Sequence, residues 1–197
     1  MVRSDRKPFL VLAIFMATFI VASNYFVQFP VNFFSLESFL TYGAFTYPVT
    51  FLITDLSNRK YGKILARKIV YMGFFLGVFL TLVFSTTFSD LISIRIAIGS
   101  GTAFLVAQLF DVQIFDKLRR KMWFIAPIVS SSVGSTIDTF LFFSISFLGT
   151  DLNWLTLAFG DLCVKLIMAL ILLIPFRMLM SLLKDTSHKY IVKHSSV

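Results

Sequence analysis

Sixteen of the eighteen Lys and Arg side chains fall in four short polar segments, separated by apolar runs long enough to cross a bilayer. The segments hold Arg3, Arg6 and Lys7; Arg59, Lys60, Lys63, Arg67 and Lys68; Lys117, Arg119, Arg120 and Lys121; and Arg177, Lys184, Lys189 and Lys193. The alternate gaps carry almost no positive charge. Cytoplasmic connections of membrane proteins are enriched in Lys and Arg, so this pattern predicts a polytopic chain with both termini in the cytoplasm.

Composition agrees. With 57% hydrophobic residues, 14% charged residues and a mean hydropathy of +0.86, the chain is too apolar for an ordinary soluble domain. The net charge of +8 hugs the ends of apolar runs and forms no basic stripe, so no nucleic-acid partner is expected and the basic residues read as topology determinants near lipid headgroups.

Six spans are expected near 8–27, 39–57, 68–88, 94–115, 122–148 and 152–180, each close to the roughly 20 residues a bilayer core requires. The first exceeds a signal-peptide core and has no sensible mature start after Ala22-Ser23, so it reads as a retained helix. Continuous apolar runs exclude the alternating strands of a barrel. The expected fold is therefore an all-α membrane protein, a six-transmembrane-helix bundle forming one domain over 1–183, followed by a polar cytoplasmic tail over 184–197. The connections 29–38, 89–93 and 149–151 lie on the other side; Arg95 is the exposed positive residue there, with Asp90 as a candidate partner. Pro175 predicts a kink in the last span.

Charged groups at the centre of a membrane helix cost about 2.5–3.5 kcal/mol on insertion scales, so they turn toward protein or water. Asp138 lies near the middle of the fifth span and has no opposite charge within a turn on its own helix. Gln108 and Asp111 lie one turn apart in the fourth; Asn24 and Gln28 are spaced i, i+4 in the first, and so are Asp161 and Lys165 in the sixth. Ser131, Ser135 and Asp138 share one helical stripe, with Ser132, Thr136 and Thr139 beside it, and Tyr47, Phe51, Asp55 and Asn58 share another. Such faces imply a bundle around a polar cavity. Each has a plainer use: hydroxyls bond back to their own helix, Asp161 and Lys165 neutralise each other, and Asp55 pairs with Arg59 as an ion pair or gate. Gly73 and Gly77 form a small-xxx-small pair that serves helix packing or a homodimer contact. Trp123 and Trp154 read as interfacial anchors.

Catalysis finds little support. Both histidines, His188 and His194, fall in the tail; Cys163 stands alone; and no Walker A loop or metal-ligand cluster occurs, so no catalytic residue, metal or cofactor is expected. Ala158-Phe159-Gly160-Asp161 lacks the first Gly of the intramembrane aspartyl protease motif.

Specific words in the chain then matter more than composition. Residues 22–28 (Ala-Ser-Asn-Tyr-Phe-Val-Gln), 43–55 (Gly-Ala-Phe-Thr-Tyr-Pro-Val-Thr-Phe-Leu-Ile-Thr-Asp) with Asn58, Tyr61-Gly62 and Ala66-Arg67-Lys68, Gln108-Leu-Phe-Asp111, Trp123 to Pro127, Ser132, Gly134, Asp138-Thr139, Asp161, Cys163, Lys165 and Pro175 occur in order from about residue 8 to 180. Together they resemble the queuosine precursor transporter family, the vitamin-uptake-transporter-like membrane proteins. One position departs: after the fifth-span Gly the family commonly has Asn or Gln, and here Ser135 offers only a hydroxyl.

The resemblance implies a multi-pass importer of the bacterial inner membrane whose small-molecule substrate is a 7-deazapurine, 7-cyano-7-deazaguanine or its 7-aminomethyl relative. The substrate-binding residues expected under it are Asn24, Tyr25, Gln108, Asp111, Ser132, Ser135, Asp138, Asp161 and Lys165. A carboxylate at 138 or 161 would take the guanine-like edge, and Tyr25 or Phe104 would stack on the ring. The competing expectation is the substrate-capture subunit of an energy-coupling-factor vitamin importer, which needs partner subunits.

Overall fold

A computed structural model describes residues 6–26, 29, 31–32, 40–84 and 91–180. Gln28, Asp90 and the tail 184–197 lie outside the described residues. Among the described residues the secondary structure is helical: α1 (Arg6–Phe26), α2 (Gly43–Thr46), α3 (Pro48–Tyr61), α4 (Lys63–Phe84), α5 (Leu91–Leu118), α6 (Ile125–Phe147) and α7 (Trp154–Ile171), with a further helical segment over 173–180.

Among the described residues, four stretches are long and apolar enough to cross a membrane: Phe9–Phe26, Ile94–Leu118, Ile125–Phe147 and Trp154–Met180. At 1.5 Å per residue, the 28 residues of α5 reach about 42 Å, beyond the roughly 30 Å hydrocarbon core.

Proline and glycine divide the rest. Pro48 lacks an N–H and its ring clashes with a carbonyl one turn back, so the expected second span splits into the single turn α2 and the longer α3, with Tyr47 at the break. The last span bends at Leu172 rather than at Pro175 itself, because the carbonyl that Pro175 excludes belongs to Ile171, four residues earlier. Between α3 and α4 stands one residue, Gly62, at φ +80° and ψ 171°, a conformation essentially reserved for glycine. Helix α4 consequently starts at Lys63, five residues before the third expected span.

Polarity is inverted relative to a soluble bundle. Phe75 and Phe79 of α4 and Ile167 and Leu170 of α7 are exposed, whereas Thr54, Asp55, Asn58, Gln108, Asp111, Asp138 and Lys165 are buried. Lipid is the surrounding that such a surface fits, since only in an apolar solvent is it favourable to expose Phe and Ile and to pair polar groups inside.

Packing uses small residues. A Cβ at Gly73 would lie 2.4 Å from Met16 Cγ, and one at Gly77 2.9 Å from Ile20 Cγ2. The Gly73/Gly77 face therefore receives α1 of the same chain. Likewise a Cβ at Gly134 would meet the Phe51 ring at 2.6 Å, so α6 and α3 approach closely there. Arg95 donates from Nε to the Ile145 carbonyl (3.1 Å) and from Nη2 to the Leu148 carbonyl (2.7 Å). It thus satisfies the frayed C-terminal end of α6, where a cation is also favoured by the helix dipole.

Candidate functional site

The break before Pro48 places Tyr47 between helices, and its hydroxyl donates to Asp138 Oδ1 at 2.6 Å. From α7, Lys165 Nζ donates to Asp138 Oδ2 at 2.8 Å and lies 2.5 Å from Asp161 Oδ2. Thr139 donates to the same Asp161 oxygen at 2.8 Å and accepts from Lys165 at 3.2 Å. The ammonium also sits 5.0 Å from the centroid of the Tyr47 ring, within cation–π range. Tyr47 meets Phe104 edge-on at 5.8 Å, and Phe104 in turn stacks on Phe74.

Tyr47, Asp138, Thr139, Asp161 and Lys165 are thus one cluster contributed by α3's entry, α6 and α7. Two carboxylates share one ammonium, so its formal charge is −1. Burying a lone charge is costly, and each charge here is paired and hydrogen-bonded. The two carboxylates are not equivalent. Both Asp138 oxygens are engaged and its side chain is 5% exposed, whereas the cluster's bonds to Asp161 fall on Oδ2 and its side chain is 14% exposed.

About 10 Å lower on α6, seven residues back from Asp138, lies a second polar layer. Ser130 and Ser131 each donate to Asp55, at 3.2 Å to Oδ1 and Oδ2 respectively. Asp111, from α5, stands beside Asp55 and Ser130, yet neither of its oxygens receives a hydrogen bond of acceptable geometry. Thr54 donates to Gln108 Oε1 (2.5 Å) and Gln108 Nε2 donates to Thr50 (2.9 Å). Asn58 Nδ2 donates to the Val112 carbonyl (2.9 Å).

A cavity of about 10 Å³ lies between α3, α6 and the end of α7, lined by Asp55, Ser131, Ser135, Phe51 and Pro127 among others. That is room for about one water. Ligand pockets run to roughly 300–1,000 Å³, so a bicyclic guest enters only if these helices separate.

The expected residues distribute as follows. Asp138, Asp161 and Lys165 come together, and the partner that Asp138 lacks on its own helix, α6, is Lys165 of α7. Gln108 is buried and held by two threonines of α3. Asp111 and Ser135 belong to the second layer, where the Ser135 hydroxyl, also buried, has no partner. Ser132 is half-buried, and its carbonyl accepts from Thr136. Asn24 accepts from Ser100 at 3.4 Å, joining α1 to α5. Tyr25 is 57% exposed and lines an aromatic groove with Phe26, Phe29 and Tyr42, away from the cluster.

The Asp55–Arg59 ion pair is not formed. Asp55 faces α6, while the Arg59 guanidinium, at the helix end, donates to the Arg119 carbonyl and Arg119 returns a bond to the Arg59 carbonyl at 3.2 Å. Tyr47 and Thr139 were absent from the expected binding set. Both lie on the polar stripes, and Pro48 beside Tyr47 was the further signal that could have singled that residue out.

Residues 41–180 match the family described as "Putative vitamin uptake transporter". The chain belongs to that family. A protein of Haemophilus influenzae named "Probable queuosine precursor transporter" is 38% identical, over 88% of this chain and 86% of its own. The "Queuosine precursor transporter" of Escherichia coli is 31% identical over 92% of each, and a "Probable queuosine precursor transporter" of Bacillus subtilis is 31% identical over 77% of this chain and 75% of its own. No solved structure matches the chain. With transporters as relatives and four helices fit to cross a bilayer, this family member is a multi-pass membrane protein and not an enzyme.

Proposed function

We propose that the chain imports queuosine precursors, 7-cyano-7-deazaguanine or its 7-aminomethyl relative, across the inner membrane through six spans with both termini cytoplasmic. The base binds at the Tyr47–Asp138–Thr139–Asp161–Lys165 cluster. The observation that carries this reading is a buried cluster holding one more carboxylate than ammonium, built where a helix is interrupted. Interrupted helices at bilayer depth occur where backbone lines a protein or water cavity.

A guanine-like edge presents a ring N–H beside an amino group, and a carboxylate accepts both. Asp161, less enclosed than Asp138, is the acceptor. Lys165 then serves a carbonyl or nitrile of the guest, and Phe104 offers an aromatic face once the helices part. The match to the named relatives supports the substrate class. The burial of Gly73 and Gly77 against α1 removes one surface on which a partner-dependent capture subunit would have relied.

Uptake of labelled 7-cyano-7-deazaguanine into proteoliposomes holding this protein alone tests the reading. Wild type accumulates label, and Asp161→Asn weakens apparent affinity by about tenfold or more, the cost of a lost charge-assisted contact. Unchanged affinity in that variant would remove Asp161 from the site. Ligand retained in detergent without any uptake would instead favour the partner-dependent capture subunit.

A further inference from the structure

The second polar layer is not accounted for by base recognition. Asp55 and Asp111 are both buried, at 2% and 0% exposure, and they face each other from α3 and α5. The ion pairs among the described residues are Arg119–Asp116, Lys165–Asp138 and Lys165–Asp161, and neither acid takes part in any of them. The layer is also short of donors. Ser130 and Ser131 serve Asp55, but neither Asp111 oxygen nor Asn58 Oδ1 receives a hydrogen bond of acceptable geometry, although Asn58 is fully buried and its Nδ2 anchors it beside Asp111 at Val112. On the cavity side, the buried Ser135 hydroxyl is likewise unpartnered and lines the same space as Asp55.

Other charged groups on the helices packed around α3 are already committed or stand apart. Asp138, Asp161 and Lys165 complete the upper cluster; Arg59 and Arg119 bind each other's carbonyls; Arg67 of α4 makes no ion pair with either acid. Two facing buried carboxyl groups, one of them with both oxygens unanswered, call for positive charge, because an unpaired buried charge is among the most costly groups a protein can hold.

We propose that Asp55, Asp111 and the Asn58 carbonyl oxygen form the site of one small monovalent cation, a proton or Na⁺, whose inward movement is coupled to the substrate. Calcium would demand six to eight oxygen ligands, more than these side chains offer. The hard, all-oxygen donor set suits either monovalent ion, and the narrow cavity at Asp55 gives it a water-sized approach. The coupling half of the proposal rests on the transport reading above; the binding half does not.

The experiment therefore has two parts. Purified protein without substrate is assayed for ²²Na⁺ binding and, by pH-difference infrared spectroscopy, for a carboxylic-acid C=O band that appears on acidification. Wild type gives one of these two signals. Asp111→Asn and Asp55→Asn, each checked as a monodisperse peak by gel filtration, lose it, and the surface variant Asp116→Asn keeps it. Absence of both signals in wild type, or their survival in both buried variants, overturns the site.

In proteoliposomes, an inward gradient of the ion so identified raises wild-type accumulation several-fold and leaves Asp111→Asn unaffected. Accumulation indifferent to both gradients overturns the coupling. Failure of all uptake while the ion signal persists counts against the substrate reading alone.

Discussion

Lys165 is the residue whose removal should cost most. Its ammonium lies 2.5 Å from Asp161 and 2.8 Å from Asp138, with a third bond to Thr139, and its side chain is 6% exposed. At an effective dielectric near 20, a unit pair at about 3 Å attracts by roughly 5–6 kcal/mol before desolvation is counted. Lys165→Met removes two such attractions and leaves two buried carboxylates facing each other. Breaking a buried pair from one side typically costs about 3–5 kcal/mol, a large share of the roughly 5–15 kcal/mol that holds a protein folded. The triple change Lys165→Met, Asp138→Asn, Asp161→Asn removes all three charges and should recover at least half of that loss. The assay is denaturant unfolding of purified protein in detergent, followed through Trp123 and Trp154 fluorescence. A Lys165→Met protein as stable as wild type, or a triple variant no better than the single, would refute the charge-balance argument.

Two further outcomes follow from packing and hydrogen bonding. Gly73→Leu forces a side chain into Met16 of α1 and should cost about 1–3 kcal/mol or more, whereas Gly101→Ala, whose Cβ would lie 3.6 Å from Phe74, should leave the melting temperature near wild type. Thr54→Val leaves the buried Gln108 Oε1 without its donor and should cost about 1–3 kcal/mol, while Gln108→Leu should cost less at this contact, because Thr54 already reaches the Thr50 carbonyl at 3.1 Å and Thr50 the Tyr47 carbonyl at 2.7 Å; equal losses in an unfolding titration would contradict that asymmetry.

Helix order and the identity of the buried acids could be read from hydropathy and residue type alone. The Asp161–Lys165 contact was equally readable, because i, i+4 spacing fixes neighbours on one helix. What lay beyond reach was rotation and pairing between helices. Tyr47 and Asp138 are 91 residues apart, and nothing local says that α3 presents its entry to α6. Asp55 and Arg59 show the opposite failure. Their spacing permits a pair, yet Asp55 turns inward to two serines, while Arg59, at the helix end, finds carbonyls of a neighbouring segment. Residue type marks Gln108 by its versatile amide, but not the two α3 threonines that hold that amide. Pro48 was visible throughout; its consequence became clear only once Tyr47 was seen to cross to another helix.

The first eight residues of α3, from Pro48 next to its N-cap Tyr47 to Asp55, have a mechanical consequence. Eight residues of helix make a strut about 12 Å long, one end tied to Asp138 and the other to Ser130 and Ser131. A stiff strut cannot be shifted at one end alone. A rigid displacement of α3 that draws Tyr47 off its carboxylate also tilts Asp55 against its serines, so such a movement reaches both floors of the molecule through a single lever arm.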